Sequence, residues 1–113
     1  MVTIALTNVP FETPMKRDLH FHKHGRAVGA LSANDYERMA DEFMFGAMNR
    51  STRQCQRPYQ GDRLRFDTWN KRFGSASVAP EFLRTFFIVP QGRINSHGGD
   101  MAFFGWECGR INV

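Results

Sequence analysis

The most regular hydrophobic pattern in the chain lies between about residues 33 and 48 and predicts an amphipathic helix. Six apolar residues recur there at helical spacing: Tyr36, Met39, Ala40, Phe43, Met44 and Ala47. Positions i, i+3, i+4 and i+7 share one face of a helix, so this face is expected to pack on a core. Ser32 precedes the helix and Asp35 follows three positions later, which is the spacing of a capping box.

In the second half of the chain the pattern changes to period two and to short apolar runs, which are typical of β-strands. Residues 64–67 predict one strand, residues 70–71 a turn, and Val78 the returning strand. The run 83–89 is the strongest strand signal, and it is followed at once by a proline. Residues 101–108 are interpreted as a final strand.

Proline and glycine residues divide the rest of the chain. Residues 1–14 contain a short β-type run and two prolines, which predicts an N-terminal tether or an edge strand. Residues 15–31 are interpreted as a short helix or an extended segment that ends in a glycine-rich turn. The segments 50–62 and 92–100 are interpreted as loops. A length of 113 residues favours one domain, which we place at 15–113.

A helical N-terminal part followed by antiparallel strands is the pattern of an α+β fold. We therefore expect one clear amphipathic helix packed on a four- or five-stranded antiparallel sheet. The composition, 42% hydrophobic and 23% charged, is that of a globular protein. No apolar run approaches the roughly 20 residues of a membrane span, so no membrane partner is expected.

Charge is distributed unevenly along the chain. Fifteen Lys and Arg against eleven Asp and Glu give a net charge of +4. Residues 50–73 carry seven basic and two acidic side chains, whereas residues 32–49 carry one basic and four acidic ones. A concentrated positive charge suits a polyanion, because each neutralised phosphate releases counterions. A solvated basic loop is the alternative interpretation.

Titratable groups concentrate between residues 20 and 25. His20, His22 and His24 flank Lys23 there and precede Gly25. Histidine has a pKa near 6.5, so it can both accept and donate a proton at neutral pH. The cluster therefore indicates acid–base catalysis; a metal site and a solvated basic turn are the two alternatives.

The chain contains two cysteines, Cys55 and Cys108. Their number is too small for a secreted disulfide-rich mini-domain, and no C-x-x-C spacing of a metal site is present. A disulfide between them is one interpretation, and two ordinary buried thiols are the one we favour from the sequence.

Three features in sequence order resemble a known family. They are the box His20-x-x-x-His24-Gly25, the Ser-x-x-Asp-Tyr-Glu sequence that begins at Ser32, and the strand sequences that run from Arg65 to Pro90. This set is similar to toxin nucleases of the barnase/EndoU/colicin/RelE (BECR) fold. The resemblance spans about residues 18–90, and the aromatic C-terminal segment departs from it.

The resemblance implies cleavage of RNA, often tRNA, without a metal or another cofactor. The catalytic residues that it implies are His24, Lys23, His20, Arg84 and Thr85. In this interpretation His24 is the first candidate for the general acid or base, with His20 as its partner. Lys23 is the cation that stabilises the phosphate, and Arg84 and Thr85 face the phosphate from a strand.

Further residues are weaker candidates for contacts with RNA: Arg65, Asp67, Lys71, Arg72, His97 and Trp106. Among these, Trp106 offers a ring on which a base can stack, a contact worth about 1–3 kcal/mol per base.

Domains of this family commonly lie at the C-termini of larger bacterial toxins. The resemblance therefore implies a larger delivery protein, secretion or delivery into a target cell, and action in the cytoplasm of that cell. A cognate immunity protein is the second expected partner after RNA.

Besides a structural or adaptor protein of phage origin and a toxin with a different chemistry on nucleic acid or nucleotide, such as ADP-ribosyl transfer, two other functions remain open from the sequence. The first is a non-catalytic nucleic-acid-binding module, which needs the basic segment and the aromatic rings but not the histidines. The second is a metal-dependent enzyme that uses the cluster of His20, His22 and His24, because an extended segment would align three imidazoles on one face. The adjacent Lys23 argues against the metal site, since its charge repels a cation.

Overall fold

The structure is a computed structural model that describes residues 8–59 and 61–110. Within these residues the helices are α1 (Pro14–Val28), α2 (Ala33–Phe45), α3 (Gln91–His97) and α4 (Asp100–Gly109). The strands are β1 (Thr52–Gln56), β2 (Arg63–Asp67), β3 (Arg72–Val78) and β4 (Glu81–Ile88). No helix of the described part is long and apolar enough to cross a membrane.

The four strands form one antiparallel sheet in the order β1-β2-β3-β4. The predicted α+β class and the antiparallel sheet are thus confirmed, with four strands in the described residues. The predicted turn at residues 70–71 joins β2 to β3, and Lys71 has a φ of 63° there. At the outer edge of β4, Phe11 forms a parallel bridge with Leu83. The β-type run at residues 2–6 lies outside the described part.

Helix α1 carries the histidine cluster and settles the conformation of that segment. Thr13 caps its start by accepting a hydrogen bond from the amide of Lys16. Pro14 occupies the first turn, where its missing N–H costs nothing. Gly29 ends the helix with a φ of 82°, a left-handed conformation that glycine adopts most readily.

Helix α2 is the predicted amphipathic helix, but it is shorter than expected. Ser32 accepts a hydrogen bond from the amide of Asp35, whose carboxylate accepts one from the amide of Leu31. The predicted cap is therefore formed. The predicted end at residue 48 is wrong, because Gly46 has an extended backbone and the helix stops at Phe45.

Apolar clusters lie on both faces of the sheet. Helices α1 and α2 cover one face, whose largest fully buried side chains include Tyr36, Met44 and Phe86. Helices α3 and α4 cover the other face, where Phe66 and Phe103 have no exposed surface. The sheet is therefore a middle layer between two helical layers.

The predicted loop at residues 50–62 is partly wrong, because it contains strand β1. Thr52–Gln56 pairs with β2 along its whole length, from Thr52 opposite Asp67 to Gln56 opposite Arg63. The side chains of β1 are exposed or half-buried, so no apolar alternation marks the strand. Its partner strand, and not its own sequence, makes this segment extended.

The predicted final strand at residues 101–108 and the predicted loop at 92–100 are wrong, since both segments are mainly helical. The buried residues of α4 are Phe103, Phe104 and Glu107. These three residues are positions i, i+1 and i+4, which lie on one side of a helix. A strand would place Phe103 and Phe104 on opposite faces.

Cys55 of β1 and Cys108 of α4 form a disulfide, 53 positions apart in the sequence. The interpretation of two free buried thiols is therefore wrong. The bond attaches the C-terminal helix to the edge strand that the sequence did not reveal. The missed disulfide follows from the wrong assignment of residues 52–56 and 100–109. Cys55 and Cys108 can be paired only after these segments are recognised as β1 and α4.

Candidate functional site

One face of α1 brings the predicted proton-transfer groups to the edge of the sheet. Lys16, His20 and His24 are spaced four residues apart, so they lie above one another on the helix. Strand β4 passes beside this face, and the ring of Phe87 lies 5.2 Å from the ring of His24. The helical spacing therefore joins a lysine and two histidines in a single row along β4.

A cleft of about 240 Å³ lies between α1 and β4. It is lined by Glu12, Lys16, His20, Phe82, Leu83 and Arg84. Two of the predicted catalytic residues, His20 and Arg84, thus meet in one cleft although they are distant in the sequence.

His20 is half-buried in this cleft and its ring stacks on Phe11 at 5.4 Å. Its Nδ1 is buried and has no hydrogen-bond partner among the described residues. Burial lowers the pKa of His20 below its usual value, and the charges of His24, Lys23 and Lys16 lower it further. Buried polar atoms normally have a partner, and a catalytic role is one of the reasons for an exception.

His24 is the second imidazole of the row. Its ring centroid lies 6.1 Å from that of His20. Burial lowers the pKa of His24 as well, and the charge of Lys23 adds to the effect. At neutral pH both rings are therefore mainly uncharged and able to accept a proton.

Arg84 reaches the cleft from the opposite wall. Its Nε donates to Asp62 Oδ2 at 2.8 Å, and Asp62 is buried. The guanidinium also lies over the ring of Phe82, 4.8 Å from its centroid. These two contacts fix the orientation of Arg84, yet 45% of its side chain remains exposed and open to a ligand.

Glu12 and Lys16 form the outer side of the cleft. Lys16 Nζ donates to Glu12 Oε1 at 2.6 Å, and this contact is the main reason why the pKa of Glu12 is lowered. Arg84 contributes to the same shift. Glu12 is therefore a carboxylate at neutral pH, and it keeps the ammonium of Lys16 at the mouth of the cleft.

Thr85 and Lys23 lie at the margins of this arrangement. Thr85 pairs with Ser75 in the sheet, and it shares a sheet face with Phe87, two positions further along β4. Its side chain is half-buried. Lys23 is exposed on α1, and its charge acts on both His20 and His24.

His22 lies outside the row of histidines. It is exposed and belongs to the other side of α1, beside Met15, Asp18 and Leu19. Since residues i and i+2 do not face each other on a helix, the three imidazoles do not converge as they would on a strand. In the described part of the chain no group of three His, Cys, Asp or Glu side chains is placed to hold a metal ion.

Two predicted RNA contacts, Arg65 and Asp67, are buried inside the molecule. Arg65 donates to the backbone oxygens of Phe43 and Gly46 and so ties β2 to the end of α2. Asp67 organises the turn after β2, where it accepts hydrogen bonds from Ser51 and from backbone amides. Burial leaves little of either side chain for RNA, so we withdraw both from the predicted contact surface.

Lys71 and Arg72 also hold parts of the fold together. Lys71 Nζ donates to Asp100 at 2.8 Å and thereby joins the β2–β3 turn to the start of α4. Arg72 donates to the backbone oxygen of Val28 at the end of α1. Both remain half-buried, so their exposed parts can still contribute positive charge.

His97 and Trp106 lie together on the α3–α4 side of the sheet. Their ring centroids are 4.9 Å apart, and Trp106 is 49% exposed. His97 is the last residue of α3 and not part of a loop, as the sequence had suggested. The exposed Trp106 and the half-buried His97 form an aromatic pair that is not part of the α1–β4 cleft lining.

Sequence reasoning missed several residues of the site, namely Glu12, Lys16 and Phe87. The spacing of Lys16, His20 and His24 would have revealed the lysine once residues 14–28 were recognised as a helix. Phe87 carried no such signal, because its contact with His24 depends on how α1 lies against β4.

Comparison with known proteins found no match, neither to a protein-family model nor to a curated protein.

Proposed function

We propose that this protein is a metal-independent endoribonuclease toxin domain that cleaves cellular RNA, such as tRNA, by 2′-OH transphosphorylation. The observation that carries the proposal is the α1–β4 cleft, in which His20 and Arg84 meet beside Lys16. Proton-transfer groups next to fixed cations are what phosphodiester cleavage requires of a protein. The resemblance to BECR-fold nucleases supports the choice of RNA as the substrate.

The reaction needs two proton transfers around one phosphate. The ribose 2′-oxygen attacks phosphorus and loses its proton to a base, while the bond from phosphorus to the 5′-oxygen breaks and that oxygen gains a proton. Such transfers work over heavy-atom distances of about 2.6–3.2 Å. Two rings 6.1 Å apart can therefore both reach oxygens of one phosphate bound against them.

The environments of the two rings suggest how the roles are divided. His20 is the base, because its protonated form is opposed by burial, by His24 once that ring is protonated, and by Lys23 and Lys16. His24 is the acid, because fewer charges oppose its protonation and a bound phosphate would favour it. Arg84, Lys16 and Lys23 balance the negative charge that develops on the phosphate oxygens.

The resemblance to BECR-fold toxins also supports a biological setting for this reaction. A domain of this kind would be delivered by a larger protein, act in the cytoplasm of a target cell and be blocked by an immunity protein in the producing cell. The disulfide between Cys55 and Cys108 supports passage through an oxidising environment, where such bonds form and persist.

Purified protein should cleave RNA in the presence of EDTA and leave 2′,3′-cyclic phosphate ends. His24→Ala should remove this activity while circular dichroism shows an unchanged fold. Full activity of His24→Ala would refute its assignment, and loss of wild-type activity in EDTA would favour the metal-dependent alternative.

A second outcome would favour the nucleic-acid-binding module instead. In that case RNA affinity would depend steeply on salt, and sequencing of RNA ends would find no new termini after incubation with the protein.

A further inference from the structure

Three arginines converge on one buried carboxylate at the end of α4. Glu107 is 2% exposed, and Arg57 Nη2 donates to its Oε2 at 2.8 Å. Arg93 and Arg110 donate to its other oxygen at 3.1 and 3.3 Å. Arg57 is itself buried, and it also donates to the backbone oxygen of Glu107. The carboxylate therefore holds three guanidinium groups in fixed positions.

Two of these arginines are open to solvent. The side chain of Arg93 is 41% exposed and that of Arg110 is 42% exposed, whereas Arg57 is 8% exposed. Each exposed guanidinium lies over an aromatic ring: Arg93 over Phe103 at 5.4 Å, and Arg110 over Trp106 at 5.0 Å. The carboxylate of Glu107 and these two aromatic rings therefore fix the orientation of both guanidinium groups.

This arginine cluster (Arg57, Arg93, Arg110 and Glu107) lies near the His24 end of the histidine row. Arg93 lies 5.9 Å from the centroid of Phe87, and Phe87 lies 5.2 Å from the ring of His24. A single phenylalanine ring therefore separates the nearest arginine of the cluster from the histidine row.

A second connection runs through the ion pairs. Arg84 of the cleft pairs with the buried Asp62, and the backbone oxygen of Asp62 accepts from the amide of Arg57. The charge of Asp62 also acts on the guanidinium of Arg57. Together the four arginines and Lys16 outnumber the nearby carboxylates of Asp62, Glu107 and Glu12, so this surface keeps a positive charge next to the proposed catalytic residues.

We propose that Arg93 and Arg110 bind consecutive phosphates of single-stranded RNA and guide the strand from Trp106 toward the histidine row. Fixed guanidinium groups suit phosphate oxygens, because their planar donors form paired hydrogen bonds. Bases of a single strand stack on aromatic rings and on arginine planes, and Arg110 on Trp106 offers both. The inference rests on the proposed function, since the strand that it binds is the substrate.

The test uses a fluorescent single-stranded 2′-O-methyl RNA, which has no 2′-hydroxyl and cannot be cleaved by transphosphorylation. Fluorescence anisotropy measures its affinity for the full protein over a range of KCl concentrations. The variant is Arg93→Ala/Arg110→Ala. The control is Arg17→Ala/Arg38→Ala, which removes the same charge from α1 and α2, where Arg38 pairs with Asp35 and Glu42.

The arginine-cluster variant should lose about tenfold or more in affinity, because it removes the charged hydrogen-bond donors of two phosphate contacts. Its slope of log affinity against log salt should fall by about 1.4, because each lost phosphate contact removes about 0.7. The control variant should bind about as the wild type does. If the double variant does not fold, the single variants Arg93→Gln and Arg110→Gln carry the same test.

Unchanged binding by the arginine-cluster variant would overturn the inference, as would an equal loss in the control or no binding by the wild type. Binding that depends on the cluster, without cleavage of ordinary RNA, would support the inference and refute the proposed function. Cleavage of ordinary RNA together with unchanged binding by the variant would refute the inference and support the proposed function.

Discussion

The two faces of the sheet are held together in different ways. On the α1–α2 face the core consists of apolar side chains such as Tyr36, Met44 and Phe86, which have no exposed surface. On the α3–α4 face an apolar cluster is joined by a disulfide and by the buried pair of Arg57 and Glu107. The α1–α2 face is stabilised mainly by packing, and its buried Asp41 and Arg65 bond to backbone groups. The α3–α4 face combines packing with a covalent bond and a buried ion pair.

The charged groups of the α3–α4 face form the arginine cluster that is proposed to bind RNA. Burying charged groups costs desolvation energy, and the attraction within an ion pair often does not offset this cost. A buried ion pair is therefore weak evidence for stability. The α3–α4 face nevertheless keeps Glu107 buried under three arginines. A need for oriented cations explains this arrangement better than a need for stability does.

The largest change in stability is expected from the packed face. Phe86→Ala should lower the free energy of unfolding by about 3–5 kcal/mol, because it removes a fully buried ring between α2 and the sheet. Met101→Ala serves as the control, since Met101 is 55% exposed on α4 and should cost less than about 0.5 kcal/mol. Urea unfolding measures both; equal costs would contradict the assigned burial.

The disulfide should contribute nearly as much to the global free energy of unfolding, and it should stabilise α4 in addition because it attaches this helix to β1. Removing the disulfide, which joins residues 53 positions apart, should lower the free energy of unfolding by about 4 kcal/mol, because the unfolded chain gains conformational entropy. Under native conditions the Cys55→Ser/Cys108→Ser variant should lose hydrogen-exchange protection first in α4. Protection in α2 should be lost only with global unfolding. A loss of protection that is uniform over α2 and α4 would remove the distinction between the two faces.

Glu107→Gln should have a smaller effect, about 1.5–3 kcal/mol, because it removes the charge that three arginines share. The matched control is Glu42→Gln, which leaves Arg38 paired with Asp35 on the surface of α2. Thermal unfolding of both variants measures the difference. An unchanged stability of Glu107→Gln would show that the carboxylate does not hold the cluster.

The smallest effect is a dependence of stability on pH. Burial lowers the pKa values of His20 and His24 in the folded protein, whereas the unfolded chain has a value near 6.5. The unfolded state therefore binds protons first as the pH falls. Stability is fully present above about pH 6.5, declines below it, and levels off once the folded protein is protonated too.

The measurement is urea unfolding at pH 7.5 and pH 5. His20→Gln/His24→Gln should reduce the loss of stability between these two values, whereas His22→Gln should not. The same loss in wild type and double variant would mean that other groups cause the dependence.

The parts of the fold that were predicted correctly carry their signal locally. Helix α2 has an apolar face and a cap formed by Ser32 within its own sequence. Strand β1 has neither, since its side chains are exposed or half-buried and its extension depends on β2. Apart from Glu107, residues 101–108 are apolar or glycine, so period two and period 3.6 fit them almost equally well.

In the candidate site, too, some features are visible in the local sequence and others depend on how the elements pack. The histidine cluster is visible in the sequence because its members are close neighbours, and helical spacing then selects His20 and His24 over His22. The approach of Arg84 to His20, and of Arg93 to Phe87, depends on how α1 and α3 lie against β4. No local pattern in a single sequence encodes those contacts.

The most direct test of the proposed site compares three histidines on one helix. Cleavage rates of a single-stranded RNA in EDTA are measured for His20→Ala, His24→Ala and His22→Ala. The first two should lose about 10²–10⁴-fold, the usual contribution of one proton transfer. His22→Ala should keep the wild-type rate, because His22 lies on the other side of α1. Equal losses in all three variants, or none in His20→Ala and His24→Ala, would contradict the proposed site.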